Sequence, residues 1–255
     1  MLDEFTPIII DLPCEDAQIY CVADVHIGAK ECDLDGFKAF CKRVEGEPNS
    51  YIVLCGDILN NAVKDSLSNI YEERYTPQES KMLAYEILKP LADSGKILAA
   101  VMGNHEFRSA KMVDLEPMYD VAVMLGIQER YRRYMAFLRL RMRNGNIKDR
   151  WNFCIAHGAS ANKKRRFQIE GVDAFITGHT HAPAIEKPAH IAFTHGGKIA
   201  VKEVAHITAT SWLNFGGYAA QKLYQPQSTG NPQRIILQAP KNNHNETKNQ
   251  IRVAW

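Results

Sequence analysis

Asp24-Val25-His26, Gly56-Asp57-Ile58-Leu59-Asn60, Gly103-Asn104-His105-Glu106, His157-Gly158 and Gly178-His179-Thr180-His181-Ala182-Pro183 each follow directly on an apolar run. In an extended segment residues i and i+2 point the same way. A carboxylate and an imidazole at 24 and 26, and two imidazoles at 179 and 181, would each converge on one point. Asp57 has two oxygens with which to bridge two cations, and the glycine before it lets the backbone turn closely. The Asn104 amide oxygen is a neutral hard ligand, which leaves His105 free for another role. Each motif alone is weak, because Asp-x-His is common and a lone histidine at a strand end is usually structural. Chance does not account for five of the nine histidines lying in such motifs. The candidate metal ligands are Asp24, His26, Asp57, Asn104, His157, His179 and His181. Their mixed imidazole, carboxylate and amide donors suit manganese, iron or zinc. None of the six cysteines lies among these candidate ligands, which argues against a closed structural zinc site.

The elements that must position these residues are short strands and helices in alternation. IYCVAD (19–24), YIVLCGD (51–57) and KILAAVMGN (96–104) read as buried strands, with helical spacing in LDGFKAFCKRVE (34–45) and PQESKMLAYEILKPLADSG (77–95). This rhythm predicts parallel β-α-β units, whose ligands bind at the carboxyl ends of the strands. After residue 131 the pattern changes. MAFLRLRMRNGNIKDRWNFCIAH predicts a hairpin turning at Asn144-Gly145-Asn146 and ending at His157. ASANKKRRFQIEG reads as a short helix, VDAFIT as a strand, and IAFTHGGKIAVKEVAHITATSW as a second hairpin around Gly196-Gly197. Short strands are expected at 234–238 and 250–254.

The ordered set Asp-x-His, Gly-Asp-x-x-Asn, Gly-Asn-His-Glu, His-Gly and Gly-His-x-His resembles the calcineurin-like metallophosphoesterase superfamily over residues 24–183. Glu106 departs from the pattern, since many members carry aspartate there. The resemblance implies a single α/β domain over 1–255, a four-layer α/β/β/α sandwich of two mixed β-sheets flanked by helices. Residues 184–255 would supply C-terminal strands and a tail. It implies two divalent cations, manganese before iron or zinc, roughly 3.5–4 Å apart. Asp24, His26 and His181 would hold one, Asn104, His157 and His179 the other, and Asp57 would bridge them. It further implies in-line attack by a metal-bridging hydroxide on a phosphoester, with His105 protonating the leaving group or stabilising the transition state.

A phosphodiesterase, extending to a DNA or RNA nuclease, is the leading expectation. A phosphomonoesterase or small-nucleotide hydrolase shares every ligand. A non-catalytic binding module on the same fold would have lost ligands, and all seven are present. The chain carries a net charge of +2, yet residues 127–170 alone balance at +9, leaving −7 elsewhere. Arg139, Arg141 and Arg143 alternate with Leu138, Leu140 and Met142, which in a strand gives one basic and one apolar face. Lys163, Lys164, Arg165 and Arg166 follow His157 closely. Both features are candidate substrate-binding groups for nucleic-acid phosphates; the competing reading is a solvated edge strand and a soluble basic helix. Buried reduced thiols and the lack of a signal-like or spanning segment lead to an expectation of a cytoplasmic protein without membrane contact. Oligomeric state is not legible.

Overall fold

The computed structural model describes residues 4–64, 66, 70–144, 147–158, 169–193, 197–239 and 251–255. In chain order, the first half contains β1 (Ile8–Leu12), β2 (Asp16–Val22), α1 (Leu34–Gly46), β3 (Ser50–Cys55), α2 (Pro77–Asp93), β4 (Ile97–Val101), α3 (Asn104–Val113) and α4 (Pro117–Met124). The second half contains β5 (Tyr131–Arg132), β6 (Met135–Asn144), β7 (Ile147–Ala156), β8 (Ala174–Thr177), β9 (Ala184–Glu186), β10 (Ala189–Phe193), β11 (Ile199–Glu203), β12 (Ala205–Thr208), α5 (Gly217–Gln221), β13 (Arg234–Gln238) and β14 (Arg252–Ala254).

Two six-stranded mixed sheets form, in the orders β14-β13-β2-β3-β4-β5 and β1-β6-β7-β8-β12-β9. In the first, β2, β3, β4 and β5 run parallel, whereas β13 is antiparallel to β2. In the second, β7, β8 and β12 are mutually parallel, and the long β6–β7 hairpin pairs antiparallel from Met135↔Ala156 to Asn144↔Ile147. The strands after residue 183 complete both sheets. Among the described residues, β10 and β11 pair only with each other, as a separate ribbon.

Burial explains the layering. Along β2, Tyr20 and Val22 face the helices, packing with Phe37, Phe40, Leu88, Leu91 and Val121. Cys21, between them, points to the other side, where Val53, Cys55 and Val101 meet Leu138, Leu140, Trp151 and Phe153 of the second sheet. Strands covered on both faces read as unbroken apolar runs, which is why IYCV, YIVLC and ILAAV stand out. The helices start at firm caps. The Asp33 carboxylate accepts from the Gly36 amide at 3.0 Å at the head of α1. Thr76 and Glu79 form a reciprocal capping box ahead of α2, with Pro77 in its first turn.

The mixed α/β fold with two large sheets flanked by helices is therefore present. The helix read at ASANKKRRFQIEG falls largely on residues outside those described. Helices α3 and α4 carry no expectation from the sequence; Glu106 at the third position of α3 and Pro117 at the first of α4 are the start signals. All six cysteines are free thiols, five of them buried. No helix among the described residues is long and apolar enough to cross a membrane.

Candidate metal centre

Five loops at one edge of the two sheets bring the polar motifs together. Asp24 and His26 follow β2, Asp57 follows β3, Asn104 opens α3 after β4, His157 follows β7, and His179 and His181 follow β8. The loops are laced by backbone bonds: the amide of Asp24 donates to Gly56 O, that of His26 to Asp57 O and that of Gly178 to His157 O. Asp24, His26, Asp57, His179 and His181 all adopt left-handed backbone, with φ of 52°, 53°, 51°, 72° and 53°. Such conformations cost about 1–2 kcal/mol each for a residue with a Cβ, and Asp, Asn and His tolerate them best. Asp24 and His26 thus converge through turning backbone rather than through the extended segment expected from their spacing. Gly56, at φ 88°, has no room for a side chain: a Cβ there would lie 2.7 Å from the Gly103 nitrogen and 2.8 Å from His157 Nδ1.

Three groups of donor atoms result: Asp24 with His26 and His181, Asp57 with His157 and His179, and His26 with Asp57 and His105. In the first, His181 Nε2 lies 3.2 Å from both Asp24 Oδ1 and His26 Nε2. In the second, His157 Nε2 lies 3.1 Å from Asp57 Oδ2. Asn104 Oδ1 adds a further donor there, 2.9 Å from His157 Nε2 and 2.7 Å from His179 Nδ1. Two atoms bound about 2.1 Å from one cation sit roughly 3.0–3.4 Å apart, so these spacings fit divalent metal.

Asp57 shows one oxygen to both groups. Its Oδ1 accepts the His105 amide at 2.8 Å. Its Oδ2 lies 3.1 Å from His157 Nε2, 3.9 Å from His26 Nε2 and 3.8 Å from His105 Nε2. The first turn of α3 thus engages Oδ1, and Oδ2 is the oxygen that faces both groups.

Hydrogen bonds at the far ring nitrogens fix which nitrogens face the centre. His157 Nδ1 donates to Cys55 O at 2.9 Å, and His26 Nδ1 faces Asn60 Oδ1 at 3.3 Å, leaving Nε2 turned inward in each. Burial, reinforced by the charge of His105, pushes the His26 imidazolium well below its usual range. Burial also acts to lower His157, but Asp57 and Asp24 outweigh it and raise the group to about 9.

Four supporting residues escape the sequence reading of the site. The Asn60 amide donates to Glu73 Oε2 at 2.7 Å, which turns its oxygen toward His26 and His105. Buried Glu106 accepts the amides of Leu59 at 2.8 Å, Gly103 at 2.9 Å and Asp57 at 3.1 Å, tying two ligand loops together. Burial, and then the charge of Asp57, raises its carboxyl to about 7, against the pull of those amides. Arg108, one turn after His105, donates to Asn60 O at 3.2 Å and stands 3.0 Å from His105 Nε2. Asn60 and Glu106 lie inside the five motifs, whereas Glu73 and Arg108 carry no local signal.

A sequence model of the calcineurin-like phosphoesterase family matches residues 17–183, which hold all five motifs. The chain belongs to the calcineurin-like phosphoesterase family. It is accordingly a metal-dependent phosphoric ester hydrolase. No curated protein matches the sequence. Among solved structures, the calcineurin-like phosphoesterase YfkN of Bacillus subtilis is similar at 11% identity and a TM-score of 0.48, over 95% of this chain and 90% of that one. The Haemophilus influenzae NAD nucleotidase is similar at 10% identity and a TM-score of 0.40, over 94% of this chain and 49% of that one.

In this phosphoesterase the basic strand does not approach the metal centre. Arg139, Arg141 and Arg143 lie on the outer face of β6, opposite Asn152, Arg150 and Lys148 of β7. At about 3.3 Å per residue, those positions are roughly 17–30 Å along the strand from His157. Arg139 donates to Asn152 Oδ1, and Arg141 forms an exposed pair with Asp11. Other cations of the segment are structural: Arg132 is buried on the Thr6, Glu129 and Tyr131 carbonyls, and Arg133 pairs with Glu116 at 3.2 Å. Lys163, Lys164, Arg165 and Arg166 lie outside the described residues.

Proposed function

We propose that this phosphoesterase is a phosphodiesterase working with two divalent cations, manganese foremost and iron or zinc as alternatives. Asp24, His26 and His181 would hold one cation, Asn104, His157 and His179 the other, and Asp57 Oδ2 would be shared. The observation that carries the reading is the position of that oxygen, 3.1 Å from His157 Nε2 on one side and 3.9 Å from His26 Nε2 on the other. Two bound divalent cations supply an activated water at neutral pH and neutralise the phosphoryl oxygens. The chain's own part is to hold seven donors in place through strained, hydrogen-bonded loops, so that little reorganisation is needed during reaction.

The diester and monoester readings share every ligand, so they separate by substrate. The polynucleotide form of this reading rests on Lys163 to Arg166, since Arg139, Arg141 and Arg143 are remote from the centre. The test is hydrolysis of bis-p-nitrophenyl phosphate beside p-nitrophenyl phosphate, with manganese or with chelator. Manganese-dependent preference for the diester is expected. Preference for the monoester would replace this reading with a phosphomonoesterase or small-nucleotide hydrolase.

A further inference from the structure

The sheet edge that carries the metal centre also carries an exposed aromatic ring. β5 runs parallel to β4, with Ala100 paired to Tyr131 and Val101 to Arg132. The Met102 amide donates to Arg133 O at 3.3 Å, which extends the pairing to the carboxyl end of β4. Tyr134 comes next, just before Met135, which pairs with Ala156 at the end of β7. His157 is the residue after Ala156. The chain at Tyr134 thus crosses from the first sheet to the second at the edge where the loops of Asn104 and His157 lie.

An accessible surface joins this ring to the centre. Asn104 is exposed, Phe107 is partly exposed, and Tyr134 is 50% exposed. Residues three apart on a helix are neighbours, so Phe107 sits beside Asn104 on α3. The Phe107 and Tyr134 ring centroids are 6.0 Å apart, with the planes at 68°. The Tyr134 ring is therefore two side chains from a candidate metal ligand. It is also held in place. The Arg133 guanidinium lies over it, 5.3 Å from the centroid, and over Phe107 at 5.8 Å. Arg133 is fixed in turn by Glu116 at 3.2 Å, whose other oxygen accepts from the Tyr131 hydroxyl at 3.2 Å. The Tyr134 amide donates to Glu4 Oε1 at 3.1 Å, which anchors the backbone. A ring braced by a cation and half open to solvent is a platform for a flat heteroaromatic ring.

We propose that Tyr134 stacks against the nucleobase of a nucleotide diester whose phosphorus is held at the metal centre. The proposal rests on the diesterase reading above and names its substrate class. The sugar would span Phe107, between the base on Tyr134 and the phosphate beside Asn104. Every base has a π-face, so the platform accepts any of the four, in a polynucleotide or in a small nucleotide diester. Tyr134 sets affinity and specificity, and takes no part in the bonds that form and break.

The experiment uses manganese-loaded enzyme and three p-nitrophenyl diesters with the same leaving group. They are the esters of thymidine 5′-phosphate, of 1,2-dideoxyribose 5-phosphate, which lacks the base, and of methyl phosphate. The unaltered enzyme is expected to show its lowest KM on the thymidine ester. Tyr134→Ala should raise that KM by about 5–150-fold, with kcat unchanged and the other two esters unaffected. Tyr134→Phe and Tyr134→Trp should keep the low KM, since each retains a ring. Calorimetric titration with thymidine 5′-monophosphate reads binding without turnover, and Tyr134→Ala should weaken it by a similar factor. Equal KM on the thymidine and base-free esters, an unchanged KM in Tyr134→Ala, or a rise shared by all three esters would overturn the proposal. So would loss of the low KM in Tyr134→Phe, because the hydroxyl rather than the ring would then be the contact. An unaltered enzyme that cleaves none of the three defeats the diesterase reading, which is a separate outcome. The titration then decides the stacking by itself: weaker binding in Tyr134→Ala retains it, and equal or absent binding removes it.

Discussion

The amide of His105 donates to Asp57 Oδ1 at 2.8 Å, and this bond sets which carboxylate oxygen faces the candidate donor groups. It pins one carboxylate oxygen to the first turn of α3 and turns the other toward both groups of donor atoms. In Asp57→Asn the amide oxygen keeps the bond to His105, while the NH₂ group replaces Oδ2 and points hydrogens at the cations. Activity on bis-p-nitrophenyl phosphate is expected to fall at least about a thousandfold, with far-UV circular dichroism unchanged. Full activity in this variant would mean that the shared oxygen lies elsewhere.

Glu106 is buried and accepts three backbone amides from the loops that carry Asp57 and Asn104. In Glu106→Gln one acceptor becomes a donor facing donors. An unsatisfied buried group costs about 1–3 kcal/mol, which at this chain length lowers Tm by about 2–10 °C. Calorimetry of the metal-free protein should give that drop. A metal titration should give a further loss of affinity, on the order of 10–100-fold, because the loops no longer hold their ligands. An unchanged Tm would mean that the three amides find other acceptors.

The buried strands are legible in the sequence because each apolar run ends in a polar motif at the same edge of a sheet. The convergence of Asp24 and His26 is legible too, but its backbone is not: alternation in an extended strand predicts the same meeting as the left-handed turns that the loops adopt. Arg139, Arg141 and Arg143 form one face of a strand, as their alternation predicts, and the hairpin turn expected at Asn144-Gly145-Asn146 already places them toward the turn, away from His157. Arg108 is invisible in the sequence, since its relation to His105 exists only once α3 is known to begin at Asn104.

Asn60 orients His26 and His105 from one side-chain oxygen, and Glu73 fixes which way that amide points. Asn60→Ala removes the brace without touching a ligand. Manganese affinity, read from activity against metal concentration, is expected to weaken by about 10–100-fold. Glu73→Gln should have a smaller effect in the same direction, because a glutamine oxygen can still accept from the Asn60 amide. An Asn60→Ala enzyme with unaltered metal dependence would show that the loops alone hold His26.

Metal should stabilise the folded chain. Five left-handed ligand residues and inward-facing imidazole nitrogens are held against strain and mutual repulsion, and a cation bound only by the folded state relieves that repulsion. Manganese at about a hundred times its dissociation constant contributes about 2.7 kcal/mol, or roughly 5–10 °C in Tm for a chain of this size. Chelator should reverse the shift. The Asp57→Asn variant should show little of it, so a full manganese shift in that variant would argue that the cation binds elsewhere.

The first of the two basic features lies far from the site. Arg139, Arg141 and Arg143 are roughly 17–30 Å from His157 along the strand, well beyond a screening length of about 8–10 Å. Exchanging all three for glutamine should leave hydrolysis of DNA, RNA and bis-p-nitrophenyl phosphate equally unaffected. Any loss of stability should stay near the roughly 0–1 kcal/mol typical of exposed pairs, since Arg141 meets Asp11 at the surface. Lys163 to Arg166 follow His157 within nine residues of sequence. Neutralising those four should lower polynucleotide hydrolysis far more than hydrolysis of the small diester. It should also flatten the dependence on salt, because fewer phosphates are then neutralised and fewer counterions are released on binding. Equal losses on both substrates would remove the polynucleotide reading and leave a small phosphodiester as the substrate class.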